Sequence, residues 1–110
     1  NIPLPEGAIM DKIKYTNIPS SQQGETAYIT VVQKTNVTAD NLAEANTDLQ
    51  NIFNSSLQYS YINNTPVYCV QGHNQYLYIR FLHNGTLYTI WTDTMSANDF
   101  INIIATEYLN

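Results

Sequence analysis

Tyr76-Leu77-Tyr78-Ile79-Arg80-Phe81-Leu82-His83-Asn84-Gly85-Thr86-Leu87-Tyr88-Thr89-Ile90-Trp91-Thr92 is the stretch whose reading decides the fold. Asn84-Gly85 is the strongest short hairpin signal, because both residues tolerate the positive φ of a type I′ turn. The arms on either side are rich in aromatic and β-branched residues, which fit a pleated surface. A two-residue loop pairs Leu82 with Leu87, Arg80 with Thr89 and Tyr78 with Trp91 on one face. On the other face it pairs Phe81 with Tyr88 and Ile79 with Ile90.

Upstream, Gly72-His73-Asn74 reads as the preceding turn, which sets Val70 beside Tyr76 and Tyr68 beside Tyr78. Asn63-Asn64 closes a further hairpin and brings Tyr59 opposite Tyr68. Side chains alternate across a sheet, so these registers sort residues onto two faces. One holds Val67, Cys69, Leu77, Ile79, Phe81, Tyr88 and Ile90; it is apolar and needs a helix to cover it. The other holds Tyr59, Tyr61, Tyr68, Tyr76, Tyr78, Arg80, Leu82, Leu87 and Trp91, an aromatic face with one guanidinium. Tyr59, Tyr68, Tyr76, Tyr78, Arg80 and Trp91 are the candidate ligand-binding residues, since flat rings with polar tips stack on a sugar, a peptide or a partner's side chains. The competing reading is structural. Cross-strand aromatic pairs stabilise a sheet with no ligand, and a helix or a second copy of the chain can cover the face.

The N-terminal part completes the sheet. Residues 1–7, with Pro3, Pro5 and Gly7, form an extended lead-in. Ala8–Tyr15 alternates as a strand with one wet face, 16–25 is a loop, and Thr26–Lys34 is a β-branched strand. From Thr38 the period changes. Leu42, Ala45, Leu49, Ile52 and Phe53 fall on one helical stripe, predicting a helix from about Ala39 to Asn54 with Thr38 as N-cap. Ser96, with Asp99 three residues on, opens a C-terminal helix whose stripe is Phe100, Ile103, Ile104 and Tyr108. The expected architecture is a single α+β domain over 1–110: an antiparallel sheet of about six strands with two helices, the last one C-terminal and packed on the sheet.

Composition narrows the function. Only 12% of the 110 residues are charged, about half the usual quarter, while Asn, Gln, Thr and Ser supply 39. Lys12, Lys14, Lys34 and Arg80 are the only basic residues, and the net charge is −5. A groove that tracks nucleic-acid phosphates needs clustered Lys and Arg, so nucleic acid is excluded as a partner. No stretch approaches the roughly 18–20 apolar residues of a membrane span, so no membrane contact is expected of this segment itself. The sequence carries no signal-peptide pattern. The charge-poor, Asn/Thr-rich, tyrosine-rich surface points to an extracytoplasmic location.

The residue types that carry catalysis do not assemble. His73 and His83, the two histidines, flank one strand, where ten residues at about 3.3 Å each hold them some 33 Å apart. No metal site is expected. Cys69, the only cysteine, alternates onto the apolar face beside Leu77 and reads as a core residue, since a thiol buried there is inert. Asp40, Glu44 and Asp48 share a solvated helix face, and Asp93 and Asp99 flank a helix start where the dipole favours acids. No phosphate loop or nucleophile motif occurs. The Asn-x-Ser/Thr patterns at Asn36, Asn54, Asn63 and Asn84 arise easily by chance in so Asn-rich a chain. Neither an enzyme nor a cofactor is indicated.

Thr65-Pro66-Val67-Tyr68, Tyr78-Ile79-Arg80-Phe81, Gly85-Thr86-Leu87-Tyr88-Thr89-Ile90 and Ser96 together, with Leu4-Pro5-Glu6-Gly7 at the start, carry a resemblance over about half the chain. The pattern resembles the uncharacterised extracytoplasmic domain that follows the membrane segment in some bacterial anti-sigma-factor-like and lipoprotein-like proteins. The resemblance implies an outward-facing sensory or binding domain and assigns no catalytic residue. The function expected is therefore a non-enzymatic binding or sensor module of a bacterial cell-surface or secreted protein, its partner a small molecule, glycan or protein. The alternative is a structural or assembly domain that buries the aromatic face in a homodimer.

Overall fold

The computed structural model describes residues 7–16, 26–38, 58–73 and 76–110, with backbone alone for Thr26, 70–73 and Tyr76. Six strands, β1 (Ile9–Thr16), β2 (Thr26–Lys34), β3 (Gln58–Ile62), β4 (Thr65–His73), β5 (Tyr76–His83) and β6 (Thr86–Thr92), form one sheet in the order β1-β2-β6-β5-β4-β3. Every neighbouring pair is antiparallel. Among the described residues there is one helix, α1 (Ala97–Glu107), so the sheet and the C-terminal helix are present. The helix expected over 39–54 lies outside the described residues, as does the loop expected over 16–25 except for Thr16, which ends β1 paired with Thr26.

Asparagine punctuates the sheet. Asn63 and Asn64 take φ of 48° and 67°, and Asn84 and Gly85 take 53° and 78°, the paired positive values of type I′ turns. Asn36 adopts φ 60° just after β2. Three of the four Asn-x-Ser/Thr patterns thus sit where the backbone demands a residue tolerant of positive φ. The β5–β6 register is as expected, from Leu82 opposite Leu87 through Tyr78 opposite Trp91. Tyr59 faces Tyr68, also as expected.

The β4–β5 register corrects the expectation. Tyr68 pairs with Arg80 and Val70 with Tyr78, two residues away from the anticipated partners. β4 continues through Gly72-His73, with a register irregularity between Gln71 and His73, where a turn was expected. Glycine marks bulges as well as turns, and here the bulge uses it. A slip of two leaves every side chain on its own face, so the face assignment survives. Cys69 accordingly stands opposite Ile79, not Leu77.

Hydrogen bonding alternates along β3 and β4. Ile62 and Thr65 flank a two-residue turn and form the bonded pair; Tyr61–Pro66 and Tyr59–Tyr68 are then the non-bonded pairs. Pro66 has no N–H to offer β5, and the β4–β5 ladder begins only at Tyr68.

Helix α1 packs on the apolar face. Ser96 caps it, its Oγ accepting the Asp99 N–H at 3.3 Å. Phe100 and Ile104 enter a core with Ile29, Val31, Phe81 and Ile90, all fully buried. Phe81 stacks on Tyr88, with centroids 5.0 Å apart, and Tyr88 meets Tyr108 edge-on. At the helix C-terminus Asn63 Nδ2 donates to the carbonyls of Ala105 and Leu109, at 3.2 and 3.3 Å. That satisfies acceptors the helix leaves open and ties the β3–β4 turn to α1. The Tyr15 hydroxyl donates to Glu107 at 2.9 Å, joining the far side of the sheet to the same helix end.

Candidate functional site

The aromatic face is not one surface. At its centre Tyr78, Arg80, Leu87, Thr89 and Val32 are buried, and Trp91 is half-buried. Arg80 Nε donates to Thr89 Oγ1 at 2.9 Å, and the Tyr78 and Trp91 rings lie 5.8 Å apart at a 36° tilt. A guanidinium 6% exposed is part of the packing and does not present a charge to solvent. Tyr76 opens β5 opposite His73; its side chain lies outside the described set.

The accessible part lies at the β3 edge. Tyr59 is 55% exposed and Tyr61 61%, with half-buried Tyr68 behind them. Their rings form an edge-to-face array: Tyr59 to Tyr61 at 5.5 Å and 81°, Tyr59 to Tyr68 at 5.2 Å and 63°. The Tyr59 and Tyr61 hydroxyls lie 3.4 Å apart. That contact favours the protonated phenol and, with smaller contributions from desolvation and neighbouring tyrosines, raises the Tyr59 pKa. The β3–β4 hairpin sets this geometry, so three rings reach solvent from one ladder. Tyr61 was not among the expected site residues, although its alternation with Tyr59 on an edge strand carried the signal.

On the opposite face a cleft of ≈ 330 Å³ lies between α1 and β3–β5, lined among others by Gln58, Ser60, Cys69, Ile79, Phe100 and Ile101. Its sequence signal was also present: β3 places polar Gln58 and Ser60 where inner strands place Ile and Val, so the core stops short of the edge. Cys69 is half-buried, packed against the core as expected and also on the wall of this cleft. Burial alone pushes its thiol up from the ordinary value, away from thiolate reactivity.

The histidines remain apart. His73 pairs with Tyr76 at the start of β5 and His83 closes that strand. Among the described residues no group of three His, Cys, Asp or Glu side chains comes together to hold a metal ion, and no helix is long and apolar enough to cross a membrane. The arrangement presents aromatic contact area and hydrogen-bonding hydroxyls. No protein family, curated protein or solved structure matches this chain.

Proposed function

We propose that this chain is a non-enzymatic binding or sensor module of a bacterial cell-surface or secreted protein, and that the tyrosine ledge of Tyr59, Tyr61 and Tyr68 is its contact surface. One observation carries the reading: two tyrosines more than half exposed stand in a fixed edge-to-face array on an uncharged strand. Rigid rings with two torsions lose little entropy on contact and offer large amphipathic area, which is why tyrosine dominates many recognition surfaces. A ledge without charge suits a neutral partner, an oligosaccharide or an extended peptide, over an ionic one. The charge-poor, Asn/Thr-rich composition supports the extracytoplasmic placement.

The test is retention of the wild-type chain and of the Tyr59→Ala/Tyr61→Ala double variant on arrays of neutral oligosaccharides and of extended peptides. A probe that holds the wild type and loses the variant, with both chains folded by circular dichroism, supports the reading. Indistinguishable retention of the two chains across both arrays would sink it.

A further inference from the structure

The β3 edge has a backbone register as well as rings. Because Tyr61–Pro66 and Tyr59–Tyr68 are the non-bonded pairs with β4, Tyr59 and Tyr61 direct their N–H and C=O groups away from the sheet, along an edge that no described strand pairs with. Residues Gln58 to Tyr61 are all exposed. Edge strands are usually blunted by lysine, proline or a bulge. β3 has none of these, and its sequence Gln-Tyr-Ser-Tyr-Ile is palindromic about Ser60 through the two tyrosines.

We infer that β3 pairs antiparallel with β3 of a second copy of this chain about a two-fold axis through Ser60. The inference rests on the reading of the ledge as a contact surface and names its partner. In this register Tyr59 lies opposite the partner's Tyr61 and Tyr61 opposite the partner's Tyr59. Each pair exchanges two backbone hydrogen bonds, four in all, and a slip of one residue would set outward-facing groups against inward-facing ones. The axis is perpendicular to the sheet, so the tyrosines of both copies share one face and both α1 helices the other. No charge meets its like across the strands, because β3 carries none. The contact is short, five residues a side, so association is weak and concentration-dependent.

Ser60 and its copy form a non-hydrogen-bonded pair with Cα atoms about 4.5 Å apart, within the span of a disulfide. The experiment is oxidative cross-linking of Ser60→Cys in a Cys69→Ser chain, with exposed Asn98→Cys in the same background as the collision control. Sedimentation of the wild type up to about 1 mM and of Ser60→Lys runs alongside. The expected results are a disulfide-linked dimer of the Ser60→Cys chain well above the Asn98→Cys background and a wild-type mass that rises with concentration from 12.5 kDa. Two like charges at the axis should weaken that rise at least about tenfold in Ser60→Lys. Cross-linking of Ser60→Cys no better than that of Asn98→Cys, or a wild type monomeric throughout, overturns the pairing. A monomer whose array retention still depends on Tyr59 and Tyr61 refutes the pairing and leaves the binding reading standing. A Ser60-centred dimer with array retention unchanged in the tyrosine variant supports the pairing and removes the separate ligand.

Discussion

Replacing Tyr78 with alanine separates core from site on the aromatic face. Tyr78 is 8% exposed, so its removal leaves a cavity at the sheet centre and ends the contact with Trp91 at 5.8 Å. Truncating a buried aromatic to alanine costs about 3–5 kcal/mol. Domains of this kind hold about 5–15 kcal/mol, so Tyr78→Ala should remain folded but lose a large share of its stability. With a urea m-value of about 1–3 kcal/mol/M, the midpoint should fall by roughly 2 M. Tyr59→Ala, at a position 55% exposed, should cost less than about 1 kcal/mol. Urea unfolding followed by far-ultraviolet circular dichroism reads both variants without relying on Trp91, whose surroundings Tyr78→Ala alters. Equal, small losses for the two would refute the division of the face, because Tyr78 would then be as accessible as Tyr59.

Three further outcomes follow from local geometry. Gly85→Ala should cost about 1–2 kcal/mol by thermal unfolding, from the left-handed backbone alone: φ is +78° and an added Cβ meets nothing within 4 Å, so a loss above about 3 kcal/mol would contradict that open space. Ser96→Ala should cost about 1 kcal/mol by removing the acceptor of the Asp99 N–H, read as helix loss in circular dichroism. Burial, and for Tyr15 its bond to Glu107, holds the phenols of Tyr15 and Tyr108 above the ordinary value of 10.0. Folding therefore favours their protonated forms, so this stability is complete below pH 10 and lost as pH rises beyond it; Tyr15→Phe should flatten the alkaline decline in urea midpoint.

Local chemistry made most of the sheet legible. The two asparagine turns set the β3–β4 and β5–β6 registers outright, because a two-residue loop with positive φ allows one pairing. The β4–β5 register was missed by two residues, since Gly72 serves a bulge and not a turn; the face assignment survived because its period is also two. The pairing of β2 with β6 had no local signature, being a contact between distant segments. Burial of Tyr78 and Arg80 was equally illegible, since alternation tells which face a residue shares and not what packs against that face. The proposed contact surface therefore lies at the sheet edge and not at its centre, and the exposure of Tyr59 and Tyr61 accords with β3 being outermost among the described strands.

The two edges of the sheet differ in a way that bears on use. β1 carries Asp11, Lys12 and Lys14 within eight residues, and Lys12 Nζ lies 4.9 Å over the Tyr28 ring of β2. Charge of that kind blunts an edge against added strands. The chain has only 4 basic and 9 acidic residues, so three of them on one edge strand is a marked concentration, and β3 receives none. Ser60 is exposed, so a lysine there would protect the edge without disturbing the core. The strand instead alternates small polar groups toward the cleft with tyrosines on the far face. Its shortness limits what it can recruit: only Tyr59 and Tyr61 direct backbone groups outward, enough for a reversible contact and too few to template open-ended growth. A neutral edge, two outward-bonding residues and two exposed rings are what the proposed pairing would use, and their small number makes that pairing weak and reversible.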